Sequence, residues 1–220
     1  MKADERKRIR DGAADLGVDL DDAALDSLGC LLDRVYDEWQ PQRNVTAVPR
    51  EQAPERHLVD SLALAAQIPE QARVLDVGSG AGFPGLVLAL ARRDLRLTLG
   101  ERSTWLAERL QQLVSELGLA RVDVVARDLR PGTVAQERYE VVVSRAALKI
   151  PDLTRLARRA LGPGGVLLLQ LGPRTLEAYR SATWAGFRED ACERYRIGDD
   201  RERYLVKLVK VIEHDSKRAE

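Results

Sequence analysis

Cysteine and histidine, the residues that build disulfides and most metal centres, are scarce in this sequence. Its 220 residues include two cysteines, Cys30 and Cys192, and two histidines. The cysteines lie far apart and form no CxxC pair, which disfavours both a structural disulfide and a protein-built zinc site. We therefore expect reduced thiols, a cytoplasmic protein and no bound metal.

Long hydrophobic runs and an excess of one charge are also missing. The longest apolar runs, such as Leu86 to Ala91, are far too short to span a bilayer, and the charged N-terminal segment lacks the apolar core of a signal peptide. We expect no membrane association. The formal net charge is zero, so the chain has no overall basic field for nucleic acid, although its 35 lysines and arginines leave room for a local basic patch.

The hydrophobic pattern changes near residue 70. Before that point, apolar residues recur every three or four positions, as from Leu25 to Trp39, and this period predicts helices. Pro41 ends that helix, and Pro54 predicts the first turn of another that runs to about Gln67. We expect residues 1–70 to form a helical N-terminal cap.

After Pro69, short β-branched segments alternate with helical ones, which predicts a parallel sheet covered by helices on both faces. The predicted strands are Arg73–Val77, Arg96–Leu99, Val122–Ala126, Glu140–Ser144, Val166–Leu171, Asp190–Tyr195 and Tyr204–Ile212. The predicted helices are Gly85–Arg92, Thr104–Gly118, Asp152–Leu161 and Arg174–Ala185. No helix separates the last two strands, which predicts an antiparallel pair at the sheet edge.

This arrangement is typical of the Rossmann-like α/β fold of class I S-adenosylmethionine-dependent methyltransferases. We expect a mostly parallel seven-stranded sheet whose last strand is antiparallel. Residues 71–220 form this α/β core, and the whole chain, residues 1–220, is predicted to be one methyltransferase domain.

A glycine-dense turn follows the first predicted strand, with the sequence DVGSGAGFPG from Asp76 to Gly85. Glycines permit positive φ and let a ligand approach the backbone directly. Pro84 is suited to the first turn of the helix that follows. We expect the cofactor to be bound by Asp76, Gly78, Ser79, Gly80, Gly82, Phe83 and Pro84.

Two ligands compete for this turn. The segment Gly80–Gly85 satisfies the GxGxxG pattern of dinucleotide-binding proteins, and Glu101 follows about twenty residues later to hold a ribose. That interpretation leaves Asp76 unexplained, because a carboxylate would repel a pyrophosphate but attract the ammonium group of a methionine moiety. The spacing therefore favours S-adenosylmethionine, with Glu101 accepting hydrogen bonds from the ribose hydroxyls. A dinucleotide and a purely structural turn remain alternatives.

Charged residues follow two further strands at the edge where ligands of such sheets bind. Arg127 and Asp128 end the third strand, where they can meet the adenine amino group; a solvated charge pair is the alternative. Arg145 ends the fourth strand, and an arginine in apolar surroundings needs an anionic or polar partner. We expect Arg145 to serve the ligands and substrate rather than the fold, with a structural ion pair as the alternative.

With these motifs, the sequence resembles the family of small-subunit ribosomal RNA guanine-N7 methyltransferases, RsmG, also called GidB. The resemblance extends from about Trp39 to the last strand. It is carried by Asn44-Val-Thr-Ala, Arg56-His-Leu-Val-Asp-Ser-Leu, the glycine turn from Leu75 to Gly85, and Ser144-Arg-Ala. It implies methyl transfer from S-adenosylmethionine to N7 of a guanine, with ribosomal RNA or the small ribosomal subunit as partner of a monomeric enzyme.

That reaction needs few catalytic groups, because guanine N7 carries a lone pair and no proton. Alignment and electrostatic support are the main requirements. His57, Asp60 and Ser61 share a helix face that we expect to close over the pocket, and Asn44 is expected to fix the preceding loop. The candidate catalytic residues are therefore Arg145, His57 and Asn44, with a hydrogen-bonded anchor between cap and sheet as the alternative for His57 and Asp60.

The sequence also departs from the family pattern. Trp105 and Leu106 replace a basic pair, Leu171 replaces a lysine before Gly172, and Asp128 alone remains of an acidic pair. Lost cations would weaken contacts to RNA phosphates. The cations that could compensate are Arg50, Arg127, Lys149 and Arg174. A relative that methylates another RNA or a small molecule, and a non-catalytic cofactor-binding relative, therefore remain alternatives.

Overall fold

The computed structural model describes residues 1–145, 148–198 and 201–211, so Ala146 and Ile212 of the motifs above lie outside the described residues. The cap begins with helix α1 (Ala3–Asp15) and helix α2 (Asp22–Asp33), whose N-cap Asp21 accepts a hydrogen bond from the backbone N–H of Ala24. The backbone of α2 continues through a wider π-helical segment, Arg34–Trp39. It then turns before Pro41, where the sequence predicts the end of the helix.

The helix predicted from Pro54 to Gln67 is not continuous. A 3-10 turn at Arg50–Gln52 leads to a π-helical segment, Pro54–Val59, then to α3 (Asp60–Leu62) and a second 3-10 turn, Ala65–Gln67. Residues on several sides of this segment are buried, so it packs between neighbours rather than on one face. His57 and Asp60 of this segment contact Arg145 and Arg203 of the sheet side, and wide turns of this kind often occur at functional sites.

Seven strands form one sheet in the order β3-β2-β1-β4-β5-β7-β6. The strands are β1 (Arg73–Val77), β2 (Arg96–Glu101), β3 (Val122–Ala126), β4 (Tyr139–Ser144), β5 (Leu161–Leu171), β6 (Phe187–Ile197) and β7 (Arg201–Lys210). The helices between them are α4 (Gly85–Ala91), α5 (Thr104–Glu116), α6 (Ile150–Ala160) and α7 (Pro173–Arg180). The first five strands are parallel and β7 is antiparallel to both neighbours. The predicted fold is confirmed.

Strand order reverses between β1 and β4, which pair with each other while the chain moves outward in opposite directions from them. A crevice forms at the carboxyl ends of strands at such a point, and ligands of α/β sheets bind there. The glycine turn follows β1 and Arg145 follows β4, so the topology brings both to this crevice.

The observed strand bounds differ most from the predicted ones at β5 and β6. β6 extends over Phe187–Ile197, well beyond the predicted Asp190–Tyr195, and β5 begins at Leu161 rather than Val166. Both additions are rich in glycine or charged residues. Backbone pairing with β7 and β4 carries these strands past the apolar segment that the sequence pattern detects.

The hydrophobic core has one layer on each face of the sheet. Successive residues of a strand point to opposite faces, so Val141 and Val143 pack with α4, α5 and the cap while Val142 packs with α6 and α7. The first layer also contains Ile9 and Leu28 from the cap. Cap and sheet thus share one continuous core. No helix within the described ranges is long and apolar enough to cross a membrane.

A buried polar cluster at Asp60 adds a second connection between cap and sheet. Asp60 is 2% exposed; its Oδ2 accepts a hydrogen bond from the Arg203 guanidinium at 2.8 Å and its Oδ1 accepts one from the Tyr195 hydroxyl at 2.6 Å. Gln170 Nε2 donates to the Asp60 backbone carbonyl and, at 3.0 Å, to Tyr195 Oη. The segment at α3 is therefore tied to β5, β6 and β7, in agreement with the anchor alternative for Asp60.

We predict that Arg203→Ala lowers the free energy of unfolding by about 3–5 kcal/mol, because it leaves a buried carboxylate without its cation. Urea unfolding measures this change. Arg194→Ala is the matched control, since Arg194 lies in the same hairpin and pairs with Glu202 at the surface; its loss should cost about 0–1 kcal/mol. Equal losses in the two variants would contradict a structural role for the Asp60 cluster.

Candidate active site

The glycine turn and the ends of β2 and β3 enclose a cavity of about 270 Å³, which we call the loop cavity. It is lined by Val77, Gly78, Gly80, Gly100, Glu101, Arg102, Leu106, Arg127, Asp128, Leu129 and Leu148. Both apolar and charged side chains thus line it. This combination suits a ligand with a flat apolar ring and several polar groups.

Two glycines of the turn are required for different reasons. Gly80 has φ +56°, and a Cβ at this position would meet no atom within 4 Å, so its backbone borders open space in the loop cavity. Gly85 begins α4, where a Cβ would lie 2.3 Å from a Leu99 methyl and 2.6 Å from Asp76 Oδ2. The first glycine lets a ligand approach the backbone, and the second lets the helix pack closely on the strands.

Asp76 lies beneath the turn and is fully buried. Its Oδ2 accepts a hydrogen bond from the backbone N–H of Gly85 at 3.0 Å, while Oδ1 has no hydrogen-bond partner among the described residues. Burial raises the pKa of Asp76 to about 6. The carboxylate therefore holds the N-terminus of α4, and its contact with a cofactor ammonium group stays a prediction that rests on the unpartnered Oδ1.

Glu101, at the end of β2, faces the loop cavity but already has two backbone partners. Its Oε2 accepts from the Gly80 N–H at 2.9 Å and its Oε1 from the Ser103 N–H at 2.7 Å. Each oxygen keeps a free lone pair for a ribose hydroxyl. Glu101 therefore also shapes the turn that it faces, a structural role that was not predicted from the sequence.

The two charged residues after β3 also line the loop cavity and are exposed. The Asp128 carboxylate pairs with Arg130 at 2.7 Å. The structure thus brings together Gly78, Gly80, Glu101, Arg127 and Asp128, as predicted. Asp128 also forms a solvated ion pair, but its partner is Arg130 and not Arg127, the neighbour considered in the alternative.

A larger cavity of about 670 Å³, the arginine cavity, lies where the cap meets the ends of β4, β5 and β7. It is lined by Val48, Arg56, His57, Asp60, Arg145, Gln170, Gly172, Pro173, Arg174, Thr175, Ile197, Arg201 and Arg203. Asp60 is the single carboxylate among these residues and pairs with Arg203. Within the described ranges the other four arginines form no ion pair, so the cavity is strongly cationic.

His57 is buried at the base of the arginine cavity, and both of its ring nitrogens are hydrogen-bonded. Nδ1 accepts from the Arg145 guanidinium at 3.2 Å, which leaves Nε2 as the donor to Thr46 Oγ1 at 2.9 Å. Burial, followed by the charges of Arg145 and Arg56, lowers the pKa of His57 to about 3. The imidazole is neutral at physiological pH, and its ring stacks on Phe83 at 4.1 Å.

Arg145 connects the fourth strand to the cap. Its Nη1 donates to the Arg56 carbonyl at 3.2 Å, and its guanidinium lies 5.5 Å from the centre of the Phe83 ring. These partners are uncharged, so the structure does not show the ion pair that was the alternative role. Arg145 lines the arginine cavity rather than the loop cavity. Its place favours a role towards substrate over the predicted direct contact with the cofactor, although it also supports the fold.

Several predicted residues do not line the loop cavity. Phe83 is buried against His57, and Ser79 is buried with its N–H donating to the Gly100 carbonyl. Pro84 follows a cis peptide bond, and Gly82 packs against Leu86 and Leu110. These residues support the turn without lining the loop cavity.

Asn44 is placed away from both cavities, contrary to the catalytic role that we expected. Its side chain is exposed, and its Oδ1 accepts a hydrogen bond from Gln40 Nε2 at 2.9 Å. Gln40 in turn accepts from the backbone N–H groups of Val45 and Thr46. Asn44 therefore helps to shape the loop that carries Thr46, the hydrogen-bond partner of His57, which matches its predicted part in fixing the loop.

Four residues of the arginine cavity were not predicted as site residues from the sequence: Arg56, Gln170, Arg201 and Arg203. Gln170 carried a signal, since it is a single polar residue in the apolar strand segment VLLLQL. The three arginines come from the cap and the edge hairpin, and only the tertiary fold brings them together. Of the four compensating cations that we considered, Arg174 lines this cavity, whereas Arg50 pairs with Glu5 and Asp33.

The sequence of the chain is similar to those of known proteins. A family model described as GidB, rRNA small subunit methyltransferase G, matches residues 32–190. The chain belongs to this family. It is 37% identical over 174 residues to ribosomal RNA small subunit methyltransferase G of Burkholderia multivorans, covering 76% of this chain and 75% of that one. It is 34% identical over 213 residues to the protein of that name from Neisseria meningitidis serogroup A, covering 94% and 99%.

Solved structures show the same fold. A SAM-dependent O-methyltransferase from Thermotoga maritima matches with a TM-score of 0.54 and 20% identity over 83% of this chain and 71% of that one. The M. jannaschii protein TYW2 in complex with AdoMet matches with a TM-score of 0.53 and 16% identity over 70% and 75%. This GidB family member is therefore a methyltransferase of the class I fold, and its cofactor is S-adenosylmethionine, as the glycine turn predicts.

We predict that Gly80→Val abolishes measurable binding of S-adenosylmethionine, because the valine side chain would occupy the loop cavity. Gly118→Val is the matched control: Gly118 has φ +61°, and a Cβ there also meets no atom within 4 Å. Both variants carry the same backbone strain, but Gly118 lies at the end of α5, away from the cavity. Calorimetric titration should show wild-type affinity in the control, and equal loss in both variants would count against cofactor binding at Gly80.

A second prediction concerns the pH dependence contributed by Asp76. The folded carboxyl keeps its proton up to about pH 6, whereas the unfolded one loses it near its ordinary pKa of 3.8. Folding therefore takes up a proton between these values, and this contribution to stability falls as pH rises from about 4 to 6. The unfolding free energy of wild type relative to Asp76→Asn should decrease by about 2–3 kcal/mol between pH 4 and pH 7.

Chemical denaturation of both proteins at several pH values measures this difference. The asparagine variant keeps an acceptor for the Gly85 N–H but cannot ionise, so it controls for all other titrating groups. A difference that does not change with pH would show that Asp76 is not protonated in the folded protein at these pH values.

Proposed function

We propose that this protein transfers a methyl group from S-adenosylmethionine to N7 of a guanine in small-subunit ribosomal RNA, and that it acts as a monomer. One observation carries the proposal. The glycine turn that borders the loop cavity also contributes Phe83, whose ring contacts His57 and Arg145 of the strongly cationic arginine cavity. A methyl donor and an anionic substrate would therefore meet on opposite sides of one short segment.

The loop cavity fits the cofactor. Gly78 and Gly80 leave room for it against the backbone, Glu101 has lone pairs for the ribose hydroxyls, and Leu106 and Leu129 offer apolar walls for the adenine ring. The unpartnered Asp76 Oδ1 is an acceptor near the turn. When bound, S-adenosylmethionine supplies an electrophilic methyl group, and the carbon–sulfur bonding electrons stay on sulfur as the methyl group leaves.

The residues around the arginine cavity match a nucleophile that needs no base. Of its described titratable side chains apart from arginine, His57 has both nitrogens engaged and a pKa of about 3, and Asp60 is paired with Arg203. Neither is suited to accept a proton at physiological pH. Guanine N7 reacts through its lone pair, so the new nitrogen–carbon bond forms without loss of a proton. Positioning by Arg145 and the surrounding groups is then sufficient.

The unpaired arginines favour a nucleic acid substrate. Guanidinium groups bind phosphates in a bidentate manner and stack on bases. Arg56, Arg145, Arg174 and Arg201 line one cavity, and burial and the nearby Arg201 charge lower the pKa of Arg56. Such like charges repel one another unless anions lie between them. An RNA backbone supplies those anions, and the names of the curated relatives point to ribosomal RNA as its source.

The decisive experiment is transfer of a radiolabelled methyl group to free ribosomal RNA and to small subunits from a strain that lacks the native enzyme. We predict label in small-subunit RNA. Reduction with borohydride followed by aniline should cleave the RNA at the labelled nucleotide, because the cationic ring of N7-methylguanosine is susceptible to this treatment. Gly80→Val should give no label, and Gly118→Val should give the wild-type amount.

Comparison of the two substrates shows whether the enzyme requires the assembled subunit or accepts free RNA. Label that resists borohydride and aniline would place the methyl group on another atom. Absence of label from both substrates, by a protein that binds S-adenosylmethionine, would reject ribosomal RNA as the substrate.

A further inference from the structure

The side-chain amide of Gln170 has one polar atom without a partner. Gln170 is 1% exposed and lines the arginine cavity at the carboxyl end of β5. Its Nε2 donates both hydrogens, one to the Asp60 carbonyl and one to Tyr195 Oη, whereas Oε1 has no hydrogen-bond partner among the described residues. A buried acceptor without a donor is unfavourable, so a ligand donor is the expected partner.

The surrounding hydrogen bonds fix the orientation of this amide. The Asp60 backbone carbonyl can only accept, so the Gln170 atom beside it must be nitrogen. Tyr195 donates its own proton to Asp60 Oδ1 and can therefore accept from Gln170. Exchange of the amide oxygen and nitrogen would break the first bond. Oε1 is thus the atom left over.

Gln170 lies level with Arg145 across the sheet. Ser144 of β4 pairs with Leu169 of β5 in the parallel register, so the next residues, Arg145 and Gln170, are neighbours at the strand ends. Both line the same cavity. A carbonyl acceptor and a guanidinium donor therefore line the same cavity from adjacent strand ends.

This pair of groups has a specific chemical requirement. A phosphate would satisfy the arginines but would be repelled by the Gln170 carbonyl, which needs an N–H donor. A nucleotide offers both, since its phosphate is anionic and its base carries N–H groups. The cavity volume of about 670 Å³ is sufficient for one nucleotide, because small-molecule sites occupy about 300–1,000 Å³.

We propose that Gln170 Oε1 accepts a hydrogen bond from the Watson–Crick edge of the guanine that is methylated, and that this contact selects guanine over adenine. The inference rests on the proposed function, because it assigns a base to the same cavity. Guanine carries N7 and O6 on one edge and the N1–H and N2–H groups on the edge away from N7. With N7 towards the methyl donor, the donor edge points away from it, where Gln170 can read it.

Adenine in the same pose would be rejected. Its Watson–Crick edge has an acceptor, N1, so two lone pairs would face each other at Gln170, and the buried carbonyl would stay unsatisfied. The base must leave its stack to enter the cavity, as in other enzymes that modify bases. The arginines then hold the phosphates on either side whichever base is present. Selection of the base and attraction of the backbone are therefore separate functions of separate residues.

The test measures binding of 5′-GMP and 5′-AMP to the protein by calorimetry, with Gln170→Met as the main variant. We expect wild type to bind GMP about tenfold or more tightly than AMP. Gln170→Met, which keeps the length of the side chain but loses the carbonyl, should bind GMP no more tightly than AMP. Equal affinity of wild type for the two nucleotides would overturn the proposal without recourse to any variant.

Two controls separate this contact from general loosening of the site. Tyr195→Phe removes another member of the same hydrogen-bond cluster that does not line the cavity, and should keep the preference for GMP. Arg174→Ala removes an exposed, unpaired cation, and should weaken both nucleotides by the same factor. If Tyr195→Phe abolishes the preference as Gln170→Met does, the preference depends on the cluster as a whole and the proposed contact is wrong.

Failure of the Gln170 contact and failure of ribosomal RNA methylation would give different results. Label in ribosomal RNA together with equal affinity for GMP and AMP would leave the methylation reaction standing and reject Gln170 as the selecting residue. A preference for GMP that depends on Gln170, without label in ribosomal RNA, would leave the guanine site standing and direct the search to another guanine-containing substrate.

Discussion

The buried carboxylate of Asp60 is the contact on which the geometry of the substrate side depends. It lies on a short helical turn of the cap, yet its partners, Arg203 and Tyr195, belong to the hairpin at the far edge of the sheet. An apolar residue would pack at this point at a lower desolvation cost. A carboxylate instead requires particular donors at particular angles, which fixes one arrangement of cap and sheet. Because His57 is three residues away on the same segment, its position is fixed as well.

The cations that are concentrated in the arginine cavity destabilise the protein when no anion is bound. Five arginines share one carboxylate among the described lining residues, and their mutual repulsion is strongest where water is partly excluded. Burial, and after it the charges of Arg145 and Arg56, lower the pKa of His57, so the imidazole stays neutral. A neutral imidazole can then accept from Arg145 and hold its guanidinium in place. Binding of an anionic substrate would relieve the repulsion between the arginines. The folded protein thus already holds in place the charges that would attract such a substrate.

Local sequence patterns were sufficient to predict the fold and the glycine turn at the loop cavity, but not the arginine cavity. The bounds of β1 and β3 follow from their β-branched pattern, and the glycine turn follows from its spacing, because both depend on neighbours in the chain. The arginine cavity depends on β7, which inserts between β5 and β6 and so carries Arg203 back to the cap. No local pattern records that insertion. Asn44 belongs to a segment that carries the family resemblance, yet it lines neither cavity and hydrogen-bonds within its own loop.

Trp105 shows how charge can be retained where a motif has changed. The family pattern has a basic pair at this position and at Leu106, but here the indole ring lies beneath two guanidinium groups, those of Arg43 at 5.0 Å and Arg109 at 4.0 Å. Each such contact contributes about 0.5–2 kcal/mol. Electrostatic attraction acts over about 10 Å at ordinary ionic strength, so an anionic ligand would respond to positive charge in this region whichever residue carries it. Arg43 and Arg109 therefore place two positive charges against Trp105, where the family pattern has its basic pair.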